Sequence, residues 1–369
     1  TFPNLLEDAG YHVGCYRKTY GPGIDRKRPV AGKKYKSIDD FFNARPKGAP
    51  FSFWFGTRDP HRGYRWQQGV NSGMKLEEVE VPPYFPDNET VRTDICDYYF
   101  AVQRFDRELG EVLDRLEVMG ELDNTLIVMT GDHGWPFPRG KATLYDAGTR
   151  VCLAMQWGDR IKAGRTVDDF VSFHDFAPTF LEAAGLQPLE EITGTSLMNI
   201  FQSLESGQID PARDHVVLMK ERHTPCQEDD ASGTPMRAIR TKDFLYIRNF
   251  KPDRWPAGAP KAKYKGPYFD IDDSPTKAAI VEVKDDPVLG KFFDLAMGKR
   301  PAEELYDLKK DPHQLENVAN NPEYSEQVQK LQTRLMNELK KSEDPRVLGE
   351  GDRFDEYKYL GRTTFGQGT

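Results

Sequence analysis

The sequence predicts an α/β protein: a mainly parallel sheet sandwiched by helices, followed by a smaller C-terminal antiparallel sheet with a helix on it. Three observations point there. Over residues 1–205, short β-branched and aromatic runs alternate with amphipathic stretches of helix length, the pattern of strands joined by crossover helices. One run, Leu126-Ile-Val-Met-Thr-Gly-Asp-His-Gly134, ends abruptly in a carboxylate and an imidazole between glycines, as a buried strand does when its tip opens on a ligand site. From His215 onward, strand-like runs follow one another without long helices between them, which favours antiparallel pairing. The expected division is therefore 1–205 and 206–369.

Strands are expected at His12–Tyr16, Phe51–Gly56, Thr125–Thr130 and Val151–Trp157. Between them, Val91, Ile95, Tyr98, Val102, Phe105, Leu109, Val112 and Leu116 recur every three or four residues. That spacing predicts a long amphipathic helix over Val91–Met119 with Gly120 as its C-cap. Asn71–Asn88 holds Pro82, Pro83 and Pro86 and reads as a surface loop. A second helix is expected over Asp175–Ala184, closed by Gly185. In the second part, His215–Lys220, Met236–Thr241 and Phe244–Phe250 read as strands. Lys251–Asp286 reads as an irregular excursion, and Tyr324–Leu339 as a helix docking on this sheet through Val328, Leu331, Leu335 and Leu339.

Composition narrows the function classes. A net charge of −8 over 369 residues argues against a general nucleic-acid binder, though a local basic cluster can still serve an anionic substrate. No apolar run approaches the roughly 20 residues that span a bilayer. The four cysteines are irregularly spaced and form neither a zinc pattern nor a disulfide framework. Cys15 and Cys152 are expected to be buried free thiols.

The chemistry concentrates after the Thr125–Thr130 strand. Asp132 and His133 offer an oxygen and a nitrogen donor suited to a divalent metal, Ca²⁺ or Mg²⁺ through the oxygen, with the nitrogen also admitting Zn²⁺ or Mn²⁺. Lys141 is a point charge suited to a sulfate or phosphate.

These segments resemble the formylglycine-dependent sulfatases of the alkaline-phosphatase superfamily, in particular the heparan N-sulfatase-like branch. The resemblance runs nearly end to end. It rests on Thr1–Gly14, Asp59-Pro-His-Arg62, Thr130–Lys141 with Tyr145–Val151, Asp175–Gly185 and Glu304–Pro312, in the family's order. It implies an alkaline-phosphatase-like fold, a sulfated carbohydrate as substrate and an extracytoplasmic location. It also implies one divalent metal, Ca²⁺ before Mg²⁺, Mn²⁺ or Zn²⁺, held in part by Asp132 and His133. Lys141 matches the lysine that contacts the sulfate, and His61 the histidine that bonds a sulfate oxygen and helps protonate the leaving group. Anchored on Gly21, Arg17 falls on the family's second lysine, with Lys18 one position away and able to substitute. Thr19 replaces a family histidine. Its hydroxyl cannot act as a base near neutral pH, so release of the covalent intermediate would need another group. Glu221, His223 and Arg237 are candidates to read the sugar. His174 and Asp175 could serve a second metal in a related phosphodiesterase or phosphonate hydrolase, but read better as helix-start packing. His12, His215 and His313 read as structural. A catalytically inactive glycan-binding relative is the remaining alternative.

No cysteine or serine in the chain begins a Cys/Ser-X-Pro-X-Arg motif, from which the family makes its formylglycine nucleophile. The paired aspartates that the family places at the end of its first strand are missing too. The resemblance therefore implies a sulfatase lacking its N-terminal nucleophile segment and half its metal ligands. The 369-residue chain alone is expected to give no turnover of an aryl sulfate and only weak metal binding. Robust hydrolysis by the purified chain would contradict this.

Overall fold

The computed structural model describes residues 1–20 and 28–360; Gly21, on which the register around Arg17 rests, lies outside them. Helix α1 (Phe2–Asp8) leads into strand β1 (His12–Arg17). Strands β2 (Lys33–Tyr35) and β3 (Phe51–Gly56) flank β1 on either side, both parallel to it, with Gly14 opposite Lys33 and His12 opposite Phe51. Helix α2 (Ile38–Ala44) is capped by Ser37, whose Oγ accepts from the Asp40 amide at 3.0 Å. It drives the fully buried Phe41 onto β3, with the Phe41 and Phe53 ring centroids 4.3 Å apart.

After the short α3 (Gln68–Asn71) comes α4 (Glu89–Val118), the expected long helix. Its 30 residues span about 45 Å, and Asn88 caps it by accepting from the Val91 amide at 3.0 Å. Its buried face carries Val91, Ile95 and Leu116, and also two carboxylates, Asp94 and Asp97. Asn71–Asn88 departs from the surface loop expected of it. Val79, Tyr84 and Phe85 are buried in a core cluster with Ile95, Phe137, Ile271, Ile280 and Phe292. The prolines only forbid regular structure there; the apolar side chains still decide burial.

β4 (Ile127–Thr130) and β5 (Leu153–Gln156) form a separate antiparallel pair, Ile127 opposite Gln156, where the sequence suggested parallel strands. The connection explains the difference. Residues 131–152 fold back on themselves, with the Gly134 amide donating to the Gly148 carbonyl at 2.9 Å. A Cβ at Gly134 would collide with the backbone of Ala147, so the turn needs glycine there. Cys15 is buried, but Cys152 is exposed at the start of β5.

The antiparallel sheet runs β6 (His215–Lys220), β7 (Met236–Thr241), β8 (Phe244–Asn249) and β9 (Glu303–Asp307). Its period-2 alternation buries both faces. Ile239, Tyr246 and Leu305 pack against Leu331, Leu335 and Leu339 of the helix Ser325–Lys341. Met236, Ala238, Leu245 and Ile247 face Leu144 and Tyr145 of the loop after β4. The stretch read as an irregular excursion contains the helix Pro275–Glu282, whose Ile280 joins the core beside α4. Residues beyond position 205 thus complete the core that begins before it.

Phe41 is the test of the first sheet. Phe41→Ala should lower unfolding free energy by about 3–5 kcal/mol, measured by chemical denaturation. A loss below about 1 kcal/mol would mean that the aromatic cluster does not hold α2 to the sheet.

Candidate active site

The backbone at the C-terminal end of β1 separates two neighbouring cations. Arg17 adopts a left-handed conformation, φ 58°, so Arg17 and Lys18 diverge. The Arg17 guanidinium goes to Glu108 of α4, with Nη1 2.7 Å from both carboxylate oxygens. Lys18 reaches across to Asp132 and donates to its Oδ2. The residue one position off the expected register is therefore the one in the site, and Arg17 is a structural partner of α4. Gly56, at the end of β3, allows this approach: its carbonyl accepts from the Lys18 amide at 3.0 Å, and a Cβ there would strike the Lys18 carbonyl.

Asp132 and His133 sit at the tip of β4, with Asp132 Oδ1 3.7 Å from His133 Nε2. His133 Nδ1 lies 2.6 Å from the Gly134 carbonyl. That contact assigns the proton to Nδ1 and leaves the Nε2 lone pair available as a donor to a ligand. Burial lowers the His133 pKa, which favours this neutral form. Burial alone would raise the Asp132 pKa, but the hydrogen bond and charge of Lys18 hold it below the usual carboxylate range.

Lys141 follows in a loop whose backbone is strained on both sides: Arg139 and Ala142 are left-handed, at φ 62° and 64°. Non-glycine residues held this way cost about 1–3 kcal/mol each and persist where the surroundings over-determine them. Here Arg139 is that determinant. It is buried, lies 4.0 Å from the Tyr145 ring and donates to the Leu295 and Gln314 carbonyls. Lys141 is itself mostly buried, and its Nζ donates to Asp272 Oδ2 at 2.8 Å. Lys141 is therefore not a solvated surface lysine.

His61 is exposed on the loop after β3, with Nδ1 2.9 Å from the Arg62 carbonyl. Two ion pairs to α4 position that loop: Asp59 with Arg104 at 2.8 Å and Arg62 with Asp94 at 2.7 Å. His223 lies beyond β6, its Nδ1 3.1 Å from Asp270 Oδ1. Asp270 is a buried hub, also accepting from Lys220 Nζ at 2.9 Å and Thr224 Oγ1 at 2.7 Å. Its pKa is strongly lowered, because the charges of Lys220 and His223 and their hydrogen bonds overcome the cost of burial.

These groups share one electrostatic neighbourhood. Lys18 and Lys141 both act on His133, and His61 and His223 both act on Asp272. Direct contacts pair Lys18 with Asp132 and Lys141 with Asp272, and His133, His61 and His223 lie within electrostatic reach of these pairs. Glu221 and Arg237 do not join them. Arg237 is 1% exposed, pairing with Asp344 at 2.6 Å and Glu221 at 2.7 Å, and Glu221 also binds Arg346 at 2.8 Å. Both charges are spent inside a buried ion cluster rather than offered to a sugar. His174 lies 3.4 Å from Ser172 Oγ, in the turn that Ser172 and Asp175 close as a capping box before the helix Phe176–Ala183. This is the structural position expected for both.

Sequence reasoning missed Asp94, Arg62, Asp270 and Asp272 as site builders. The one signal for the last two was the pair of carboxylates flanking an apolar residue in Asp270-Ile271-Asp272, where Ile271 is buried in the core. As for a metal, Asp132 and His133 supply two donors, whereas Ca²⁺ takes six to eight oxygen ligands. No group of three or more metal-binding side chains occurs among the described residues. The described residues alone do not complete a metal site.

Lysines and imidazoles that follow the strand tips of an α/β scaffold are chemistry suited to a small anionic group. The sulfatase family model matches residues 33–186, and the model for the C-terminal part of N-sulphoglucosamine sulphohydrolase matches 131–256. An ulvan-active sulfatase of Formosa agariphila is 32% identical over 89% of this chain and 58% of its own length. Human N-sulphoglucosamine sulphohydrolase is 28% identical over 89% of this chain and 66% of its own. A protein solved in complex with its substrate D-glucosamine-2-N,6-O-disulfate shares the fold, with TM-score 0.62 and 20% identity over 94% of this chain and 83% of that one. The chain belongs to the sulfatase family. It spans between half and two-thirds of the length of these curated relatives.

The Arg237 assignment is testable. Arg237→Ala strands Asp344 and should lower unfolding free energy by about 3–5 kcal/mol in urea titration. A variant as stable as the parent would return Arg237 to the list of substrate contacts.

Proposed function

We propose that this chain is the larger part of a sulfatase that hydrolyses sulfate esters or sulfamates of carbohydrates. What supports this reading is the placement of Lys18, of His61, and of His133 with Lys141, on three chain regions that follow the ends of β1, β3 and β4. In this reading Lys18 and Lys141 neutralise the sulfate, taking over the role that the register gave to Arg17. His61 hydrogen-bonds a sulfate oxygen and passes a proton to the leaving oxygen or nitrogen. His223, half-exposed and oriented by Asp270, contacts the sugar. Asp132 and His133 would lend two donors to a divalent cation, Ca²⁺ by family resemblance. The nucleophile would be a formylglycine outside these 369 residues.

The preference for an N-sulfated glucosamine rests on the C-terminal family match and the human relative. It is a narrower proposal than the sulfatase assignment. The two-metal phosphohydrolase alternative needs His174 as a ligand, and the capping turn that holds His174 gives that reading no support.

Lys141 tests the assignment in the complete sulfatase. An ammonium aimed at the sulfate gains most as charge builds on the bridging atom, so its loss falls on the transition state. Lys141→Ala should lower kcat by about 10²–10³-fold. Because Asp272 is then left unpaired, stability should also fall, by about 1–3 kcal/mol, which leaves a domain of ordinary stability folded. Measuring kcat and the urea midpoint together separates the two effects. Near-normal kcat would remove Lys141 from the sulfate site.

A further inference from the structure

We infer that Asp272 is a specificity residue of this site, reading a hydrogen-bond donor on the sugar next to the sulfate and turning away a carboxylate in the same position. The inference rests on the sulfatase reading above. Asp272 Oδ2 accepts from Lys141 Nζ at 2.8 Å, whereas Oδ1 has no hydrogen-bond partner among the described residues. The Asp272 side chain keeps 24% of its surface exposed, against 11% for Lys141. One oxygen is thus committed to the cation proposed to bind sulfate, and the other is left for a further donor.

The backbone leaves Asp272 little freedom. Asp270, two residues earlier, is fixed by Lys220, His223 and Thr224. Ile271 is buried in the core, and Thr276, four residues later, donates to Asp94 at 2.6 Å. Asp273 turns to Lys277 at 2.8 Å, so it does not compete for Lys141. Burial works against the charge on Asp272, but the Lys141 hydrogen bond and charge outweigh it and keep the group ionised at neutral pH. A fixed carboxylate on Lys141 has definite chemical consequences. A hydroxyl or amine of the substrate can donate to Oδ1, and an ammonium gains charge assistance as well. A carboxylate brought to the same place meets like charge in a partly desolvated site, which is how a binding site rejects a wrong ligand.

The substrate class this selects is a sulfated amino or neutral sugar, with sulfated uronic acids excluded. The test is equilibrium binding to the 369-residue chain, followed by NMR, of three probes: inorganic sulfate, 6-O-sulfated glucosamine and a 2-O-sulfated uronic acid. Asp272→Asn should weaken the glucosamine probe about tenfold relative to inorganic sulfate and tighten the uronic acid probe, with an unchanged fold by thermal midpoint and amide spectrum. Parallel weakening of all three probes would show that Asp272 only props Lys141 in place and would overturn the inference. So would an unchanged preference between the two sugars. Failure of the underlying sulfatase reading looks different: inorganic sulfate would then bind neither the parent chain nor Asp272→Asn, or would bind Lys141→Ala as well as the parent.

Discussion

The buried carboxylate of Asp94 on α4 is the constraint on which the site depends. It takes Arg62 through both oxygens, at 2.7 and 3.0 Å, and Thr276 Oγ1 at 2.6 Å. Arg62 in turn donates to the Pro136 carbonyl and lies 4.2 Å from the Phe137 ring. One carboxylate therefore ties the loop of His61, the loop leading to Lys141 and the segment carrying Asp272 to a single rigid helix. Such a pair adds little net stability over an apolar replacement, yet breaking it strands a buried charge. Its value here is positional.

Within the site, charge is arranged in opposed pairs. Lys18 meets Asp132 and Lys141 meets Asp272, with the imidazole of His133 against the first pair. Each cation is held in place before any anion arrives, so ordering long side chains is not charged to binding. The strained turn around Lys141 serves the same end. The protein carries a net charge of −8, so an anionic ligand is drawn to this local arrangement and not to the molecule as a whole.

Much of this was legible in the sequence because it is local. The Ile127–Thr130 strand with Asp132 and His133 at its tip, the periodic face of α4 and the three strands from His215 to Asn249 are written in patterns of two or 3.6 residues. The choice between Arg17 and Lys18 was not legible, because it turns on one left-handed residue and on Glu108, far away in sequence. Nor was the return of β5 antiparallel to β4, which follows from the packing of Gly134 against Gly148. Glu221 and Arg237 read as free charges until their partners Arg346 and Asp344 were in view. Asp94 and Asp272 escaped for the same reason: an acidic residue in a helix or loop looks solvated until a contact 131 or 182 residues away gives it a partner. The family resemblance supplied the order of the motifs but not these contacts.

The dependence on Asp94 is tested most directly by amide hydrogen exchange in Asp94→Ala, compared with the parent chain. Opening of a shared anchor should strip protection from residues 60–64 and 270–276 together, while the β6–β9 sheet keeps its own. Exchange confined to one of the two segments, or unchanged in both, would contradict a single carboxylate organising the site.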